Sequence, residues 1–344
     1  MACNTGGMRR VYLLGAGFSK AVSGEMPSMP ELSAGVKSII SAAGGPDIPG
    51  VSTPIANDFE QWLSYLVEAP PWLTEAEQSR NKASFWEVSR AVHEVLWVAE
   101  MRALTGSDCP PWLQQLVKYW HDESAKVISF NYDMLVELAW LVYASGGTAR
   151  NLYPAPVTPI STRRAAVLGG RRPSEGLELM KLHGSLSWRY SGPESPPGDT
   201  IYDVDIAGGS WDATGILPRN DDAEYLSVDR EPMIVPPAAV KSPYYNNRTL
   251  QALWRSAAEA LADAEELVIM GFSLPQSDQL VRAMLCTNLP DSAGIVPVDY
   301  ENDVLSRVRD TFGLNDSDPR VVDVFTGLGA DAIPRWVSEF ANIS

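Results

Sequence analysis

The chain has 344 residues, of which 45% are hydrophobic and 20% are charged, a composition that supports a sizeable core and excludes a disordered chain. Its 27 basic and 43 acidic residues give a net charge of −16, and an acidic chain repels phosphate backbones, so direct nucleic-acid binding is not expected as its main task. Scattered cysteines and the lack of long apolar runs predict a cytoplasmic protein without disulfides, signal core or membrane span.

One strand and several helices are predicted for the first third of the chain. Apolar residues 11–14 indicate a short buried strand that ends in a glycine turn, and a loop rich in Pro, Ser and Gly follows to about residue 53. Apolar residues at helical spacing then predict three helices. The first begins after the N-cap residue Asn57, and the other two cover about 84–102 and 112–120. The segment from about 55 to 122 is therefore a predicted helical insertion.

The middle of the chain alternates strands with irregular segments. Strands are predicted at 125–130 and 177–182, with an apolar helix over 134–143 between them. Short strand-like pieces between turns make residues 145–235 an irregular, β-rich insertion. These pieces are 186–190, 201–206 and 233–235. The basic cluster of this insertion is interpreted as a surface loop and consists of Arg163, Arg164, Arg171 and Arg172.

The last third of the chain alternates helices with strands. The predicted strands are 267–270, 295–298 and 321–325, and the predicted helices cover about 250–264, a segment from 278, 303–312 and a last segment that ends near 340. Helices that alternate with short apolar strands are typical of a parallel, doubly wound α/β sheet, which is the predicted fold class.

Polar residues follow the predicted strands at the points where they end. Ligands of parallel α/β sheets bind at the carboxyl ends of the strands, so these residues form the candidate site. They are Gly15, Ala16, Gly17, Phe18 and Ser19 after the first strand, Asn131 and Asp133 after the second, and then His183, Gly271, Ser273 and Asp299.

Several of these motifs have a structural explanation as well as a functional one. Gly15 and Gly17 would let backbone N–H groups approach a diphosphate, and Ser19 would add a hydroxyl donor. Without the third glycine of a dinucleotide fingerprint, the turn equally suits a plain strand-to-helix connection. Asp133 suits a helix N-cap, whereas Asn131 lies too early for that role and is the stronger functional candidate.

The histidines and two acidic residues also allow alternative interpretations. His183 suits a general base because a neutral imidazole titrates near neutral pH, although a lone histidine is more often structural. His93 and His121 are interpreted as structural or surface residues. Asp278 is either a helix N-cap or part of a ligand-binding turn, and Asp299 suits either a ribose hydroxyl or solvent.

The ordered set of motifs resembles the bacterial sirtuin-like NAD-consuming domains. The motifs are Gly15-Ala16-Gly17-Phe18-Ser19, Phe130-Asn131-Tyr132-Asp133, Lys181-Leu182-His183-Gly184-Ser185 and Gly271-Phe272-Ser273-Leu274-Pro275, and the likeness spans residue 9 to about 313. It implies a single sirtuin-like domain over 1–344, with a Rossmann-like core that binds NAD and breaks the bond between nicotinamide and ribose.

The resemblance also implies a role for each candidate residue. Asn131 would orient the attacking water, and His183 would be the base near the ribose hydroxyls. Asp133 would help to hold the nicotinamide end. The diphosphate would lie on the glycine turn, and the adenosine side would be lined by Gly271, Ser273 and Asp299.

Sirtuin deacylases carry a four-cysteine zinc module, and this chain has only three cysteines. The resemblance therefore implies an NAD glycohydrolase of antiviral defence, which depletes NAD and arrests the infected cell. NAD would be the substrate and no metal would be required. Such a protein is expected to be a cytoplasmic homo-oligomer, triggered by its own assembly or by a separately encoded sensor or ATPase, with no membrane and no direct nucleic-acid partner.

Two alternative functions stay open. The fold would also suit an enzyme that uses NAD to deacylate or ADP-ribosylate a protein. It would equally suit a non-catalytic module that senses NAD or ADP-ribose and regulates a partner.

Overall fold

The protein is described here by a computed structural model, which covers residues 8–42, 48–68, 70–145, 152–160, 176–192, 194–204, 211, 229–238 and 242–341. The predicted basic cluster at 163–172 lies outside these residues.

Two sheets form the framework. The strands, numbered in chain order, are β1 (Arg10–Leu14), β2 (Lys126–Ser129), β3 (Thr158–Ile160), β4 (Glu178–Lys181), β5 (Gly184–Tyr190), β6 (Tyr202–Val204), β7 (Glu231–Ile234), β8 (Glu266–Met270), β9 (Gly294–Asp299) and β10 (Phe325–Thr326). The larger sheet has six strands in the order β10-β9-β8-β1-β2-β4, and every pair in it is parallel. The predicted doubly wound α/β fold is confirmed.

The order of the strands reverses at the centre of the larger sheet. From β1 the chain runs outward through β2 to β4, and it then returns to β8 on the other side of β1 before it continues to β9 and β10. A cleft forms at the carboxyl edge of a parallel sheet where such a reversal occurs. The pairing of β1 with β8 ends at Leu14 and Met270, so the turns after these two residues lie side by side at that edge.

Helices flank the larger sheet in the part of the chain that the structure describes. They are α1 (Ala16–Val22), α2 (Met29–Ala42), α3 (Phe59–Val67), α4 (Glu75–Gly106), α5 (Pro111–Asp122), α6 (Leu135–Trp140), α7 (Ser242–Tyr245), α8 (Arg248–Ala262), α9 (Gln279–Asn288), α10 (Val304–Phe312) and α11 (Ala332–Phe340). A π-helical turn, Leu141–Ser145, extends α6. None of the helices described is both long enough and apolar enough to cross a membrane.

The loop predicted between the glycine turn and residue 53 is wrong, because this segment contains α1 and α2. Pro30 in the first turn of α2 is compatible with a helix, since the first N–H groups of a helix have no partner within it. Leu32 and Val36 bury the inner face of α2. Gly35 lets α2 approach α4 closely, as a Cβ atom there would lie 3.0 Å from Val95.

The predicted cap of α3 is also wrong by one residue. Asn57 is the last residue of a 3₁₀ turn, Pro54–Asn57, and the cap is Asp58, whose carboxylate accepts a hydrogen bond from the N–H of Gln61 at 3.0 Å. The predicted helix over 84–102 extends to both sides and becomes the 32-residue helix α4. Leu96, the α4 residue that contacts the candidate site, lies within the predicted part of this helix.

The smaller sheet corresponds to the predicted β-rich segment. Its order is β3-β6-β5-β7, with β5 antiparallel to both of its neighbours and β3 parallel to β6. The strand pieces predicted at 186–190 and 233–235 are found as β5 and β7, and residues 202–204 of the third form β6. β5 begins directly after His183, so the smaller sheet is anchored to the end of β4.

Candidate functional site

The predicted strand ends converge on one cleft at the carboxyl edge of the larger sheet. The cleft holds a cavity of about 590 Å³, within the ~300–1,000 Å³ typical of small-molecule sites. All the predicted site residues except Phe18 line it, namely Gly15, Ala16, Gly17, Ser19, Asn131, Asp133, His183, Gly271, Ser273 and Asp299. Helices α2, α3 and α4 contribute the opposite wall through Leu32, Glu60 and Leu96.

The glycines of the first turn are required by packing between two parts of the chain. A Cβ atom at Gly15 would lie 2.6 Å from the Cα of Phe272, and one at Gly17 would lie 2.9 Å from the Cα of Gly271. The N–H groups of Gly15 and Gly17 donate to the carbonyl oxygens of Met270 and Gly271, at 3.2 and 2.8 Å. These two N–H groups are therefore engaged within the fold, which supports the strand-to-helix interpretation for them.

Phe18 requires a correction. It was predicted with the binding turn, but its side chain is buried in the core, where the ring lies 5.6 Å from that of Trp112 and 6.2 Å from that of Trp120. Helix α1 begins at Ala16, so Phe18 and Ser19 point in different directions from the helix axis. Phe18 anchors the turn, and Ser19 faces the cleft.

Two hydrogen bonds join the ends of β1 and β2 across the floor of the cleft. The Nδ2 of Asn131 donates to the carbonyl oxygen of Gly15 at 2.8 Å. The hydroxyl of Ser19 donates to Oδ2 of Asp133 at 2.5 Å. Asn131, Asp133 and Ser19 are all buried, so their orientation is fixed by these bonds rather than by solvent.

Helix capping explains only part of the position of Asp133. Its Oδ1 accepts a hydrogen bond from the N–H of Leu135 at 3.3 Å, a long contact at the start of α6. The N–H of Met134, the N-cap residue, donates instead to the carboxylate of Glu100 in α4. Asp133 is thus shared between a weak capping contact and the strong contact with Ser19.

His183 lies between two aromatic rings. The centroid of its imidazole is 4.9 Å from that of Phe130 and 6.3 Å from that of Tyr132. The Nε2 atom of His183 lies 3.7 Å from Oδ2 of Asp278, and both side chains are buried. A carboxylate at this distance stabilises a protonated imidazole, so the pair can accept and hold a proton.

Asp278 therefore has a contact that helix capping does not explain. It is the N-cap residue of α9, but its carboxylate makes no capping hydrogen bond to that helix. Its position beside His183 supports the ligand-binding alternative. The hydroxyl of neighbouring Ser277 donates to Glu60 of α3, which ties the wall of the cleft to the turn before α9.

Carboxylates dominate the lining of the cavity. They belong to Glu60, Asp133, Asp278, Asp299 and Glu301, whereas Lys20 is the only Lys or Arg among the described residues that line it. Burial raises the pKa of Asp299 above its ordinary value, and the nearby carboxylates of Asp303 and Glu301 act in the same direction. The cavity therefore has a negative potential, which favours cationic groups and hydroxyl donors.

Several residues of the site were not found from the sequence. Phe130 and Tyr132 belong to the motif of residues 130–133 but were not singled out as site residues, and Glu60 belongs to no motif. Lys181 belongs to the motif of residues 181–185, but the sequence does not show that it is buried. In the fold its side chain is only 1% exposed. Glu100 lacked any sequence signal, because it lies 34 residues away in sequence from its partner Met134.

The other two histidines lie away from the cavity. His93 stacks on Trp97, and burial lowers its pKa to about 4. Nδ1 of His121 accepts a hydrogen bond from the indole N–H of Trp140 at 3.3 Å. Across the described ranges, no group of three or more His, Cys, Asp or Glu side chains is arranged to hold a metal ion.

The sequence matches no protein-family model and no curated protein. Its fold is similar to those of solved Sir2 structures. One is a structure that describes the basis for the mechanism and regulation of Sir2 enzymes (15% identity, 96% of this chain and 90% of that chain covered, TM-score 0.42). Another is Sir2 with a p53 peptide and NAD+ (14% identity, 97% and 94% covered, TM-score 0.42), and a third is Sir2Tm with a propionylated peptide (13% identity, 96% and 92% covered, TM-score 0.40). These values describe a distant likeness of the chain path.

Proposed function

We propose that the protein is an NAD glycohydrolase, which cleaves NAD to nicotinamide and ADP-ribose. The observation that carries the proposal is the buried pair of His183 and Asp278, which lies with Asn131 in one cavity at the strand reversal of a parallel sheet. Such a position suits a nucleotide, and the pair suits proton transfer. The ordered motifs of the sequence independently support the same chemistry.

The charge of the cavity favours one orientation of NAD. The nicotinamide ring is cationic, and its departure leaves a ribose with oxocarbenium character, so this end is best stabilised near the carboxylates of Asp133 and Asp278. At the other end, Asp299 and Glu301 are suited to accept hydrogen bonds from ribose hydroxyls. The diphosphate would lie between them beside Ala16 and Ser19, with Gly271 and Ser273 on the adenosine side.

The proposed reaction breaks one bond and forms one. The N-glycosidic bond between nicotinamide and the ribose breaks, and its electron pair leaves with nicotinamide, which becomes neutral. The oxygen of a water molecule bonds to the same carbon of the ribose and loses one proton. Asn131 would orient this water through its Oδ1 atom, since Nδ2 donates a hydrogen bond to the carbonyl oxygen of Gly15. His183, beside Asp278, would receive the proton.

A protein acceptor is the main alternative, and one observation favours water over it. Peptides often bind by adding a strand to a backbone edge. Beside His183, the N–H of Val235 donates to the carbonyl oxygen of His183 at 2.8 Å, and that of Ala238 donates to Pro236 at 2.7 Å. Pro236 and Pro237 have no N–H, so this segment of the cavity wall is poorly suited to receive a peptide strand.

Product analysis separates the candidate functions. The purified protein is incubated with NAD alone, with NAD and an acylated peptide, and with NAD and a protein acceptor. Release of nicotinamide and ADP-ribose without any acceptor supports the glycohydrolase. Turnover only with an acceptor would instead support a deacylase or ADP-ribosyltransferase. Tight NAD binding without turnover would support a sensing module.

We further propose that the enzyme acts in antiphage defence in the cytoplasm, as a homo-oligomer or with a separately encoded sensor or ATPase. This part of the proposal rests on the sequence motifs alone. It predicts that cellular NAD falls after phage infection when the wild-type protein is present. Cells that carry the Asn131→Ala variant should keep their NAD, and equal depletion in both strains would contradict the proposal.

A further inference from the structure

A loop of four residues, Asn131–Met134, carries the two side chains on the floor of the cleft. Together with Phe130 it connects the end of β2 to the start of α6, and it belongs to no helix or strand. Its shape therefore depends on the groups that bind its backbone. The N–H of Leu186 donates to the carbonyl oxygen of Tyr132 at 2.8 Å, and that of Asn131 donates to the hydroxyl of Ser129 at 3.2 Å. Two buried ionisable side chains from other elements also bind the loop backbone, Lys181 at the end of β4 and Glu100 in α4.

Lys181 binds two successive carbonyl groups of the loop. Its Nζ atom donates to the carbonyl oxygens of Tyr132 and Asp133, at 3.2 and 2.5 Å. A third contact, at 2.8 Å, joins it to Oε1 of Glu137, which also accepts a hydrogen bond from the hydroxyl of Tyr153 at 3.0 Å. Each of the three ammonium donors thus has an acceptor, as a buried cation requires.

Glu100 binds the last residue of the loop. Its side chain is 1% exposed, and its Oε1 accepts the hydrogen of the Met134 N–H. Burial raises the pKa of Glu100 to about 8, and the carboxylates of Asp133 and Glu137 add to this effect, whereas the contact with Met134 and the charge of Lys181 oppose it. The ionisation of Glu100 is therefore coupled to the group, Asp133, that lies in the cleft.

We propose that Lys181 and Glu100 are positioning residues, which hold the Asn131–Met134 loop in the geometry that NAD cleavage requires. The inference rests on the proposed function, because it assigns a purpose to the loop that carries Asn131 and Asp133. Neither residue lines the cavity, so both act through the loop. Displacement of a positioned group by about 1 Å is enough to lower a rate by about 10²-fold.

The test compares Lys181→Met with Lys126→Met. Lys126 lies at the other end of the paired strands β2 and β4, where it pairs with Glu178 at 2.6 Å and its side chain is 41% exposed, so it is a matched control. We expect Lys181→Met to lower kcat by about 10²-fold with little change in KM, and Lys126→Met to leave both unchanged. Equal kcat in Lys181→Met and wild type would overturn the proposal for Lys181.

Glu100 is tested with a conservative and a truncating variant. Glu100→Gln keeps an acceptor for the Met134 N–H but does not ionise, whereas Glu100→Ala removes the acceptor. We expect Glu100→Gln to retain much more activity than Glu100→Ala, and the dependence of kcat on pH near 8 to be lost in Glu100→Gln. Identical activity and pH profiles in the two variants would overturn the proposal for Glu100.

Hydrogen exchange separates this inference from the proposed function. We expect the amide hydrogen of Met134 to exchange faster in Glu100→Ala and Lys181→Met than in wild type and in Lys126→Met, whether or not NAD is cleaved. A wild type without NAD turnover would remove the proposed function and leave this comparison intact. Unchanged exchange in both loop variants would overturn the positioning role.

Discussion

Asn131 donates a hydrogen bond from its Nδ2 atom to the carbonyl oxygen of Gly15 at 2.8 Å, which joins the end of β2 to the turn after β1. This contact fixes the orientation of the amide, because only the NH₂ group is a donor. In the proposed reaction, Oδ1 is the atom that would accept a hydrogen bond from the attacking water. The side chain is buried, so the orientation is held by the fold.

Variants of Asn131 should separate the two halves of the amide. Asn131→Ala removes both, and we expect turnover to fall by about 10²–10⁴-fold. Asn131→Asp replaces the donor with an oxygen that repels the Gly15 carbonyl, so turnover should fall nearly as far as in Asn131→Ala. The measurement is nicotinamide release, with the exposed Asn246→Ala as control. Wild-type rates in Asn131→Asp would show that the bond to Gly15 is not required.

The pair of His183 and Asp278 should behave as one unit. We expect His183→Ala to lower turnover by about 10²–10⁴-fold and Asp278→Asn by about 10-fold or more, because the amide no longer stabilises a protonated imidazole. Residues that act together are not additive, so Asp278→Asn should have little effect when combined with His183→Ala. Asp316→Asn, whose side chain is exposed, is the control. Fully additive losses would show independent roles.

Substitution of the glycines in the cleft should lower stability as well as binding. A Cβ atom at Gly17 meets the backbone of Gly271, and one at Gly271, where φ is +61°, would lie 2.2 Å from the N atom of Phe18. We expect Gly17→Ala and Gly271→Ala to lower the free energy of unfolding by roughly 1–3 kcal/mol. Gly24→Ala, where a Cβ atom would meet nothing within 4 Å, is the control and should change it by less than about 0.5 kcal/mol.

Denaturant titration measures these free energies. A Gly17→Ala protein with wild-type stability and impaired NAD binding would contradict the packing argument. It would restore the simpler interpretation in which this glycine serves only to let the diphosphate approach.

Much of this geometry could be predicted from the sequence, and the reasons are local. Each central strand is a short apolar run followed at once by Gly, Asn, Asp or His, so the strand and its carboxyl end are read from neighbouring residues. Parallel pairing then brings those ends to one edge. The glycine turn, Asn131, His183 and Asp299 were found in this way.

The parts that were missed depend on contacts between distant segments. Helix α2 contains Pro30 and Gly35, which favour a loop locally, and it is stabilised by packing on α4. Phe18 belongs to a turn motif, but Trp112 and Trp120 form its surroundings. Glu100 lies within the predicted helix, but its contact with Met134 joins positions 34 residues apart in the chain. Such contacts are specified by the whole fold and leave no local pattern.

Glu100 should make the stability of the protein depend on pH. Its pKa is raised from the usual 4.5 to about 8, so the folded state binds the proton more tightly than the unfolded state. The stabilisation is fully present below about pH 4.5 and is lost as the pH rises through about 8. Glu100→Gln does not ionise, so its stability relative to wild type should be greater at about pH 9 than at about pH 5, by roughly 4 kcal/mol.

Urea titrations of both proteins at the two pH values measure this difference. Other titrating groups cancel in the comparison, because they are common to the two proteins. A difference that is constant with pH would show that Glu100 titrates in its ordinary range, and that its contacts do not favour the protonated form.

In the proposed reaction, water is the group that replaces nicotinamide. Transfer of an oxygen isotope from water to ADP-ribose tests this step directly. The wild-type protein is incubated with NAD in ¹⁸O-labelled water and EDTA, without any peptide or protein acceptor, and the ADP-ribose is analysed by mass spectrometry. We expect nicotinamide release and one heavy oxygen in ADP-ribose with the wild-type protein, and neither with Asn131→Ala. Intact NAD with the wild-type protein, or ADP-ribose formed only after an acceptor is added, would contradict it.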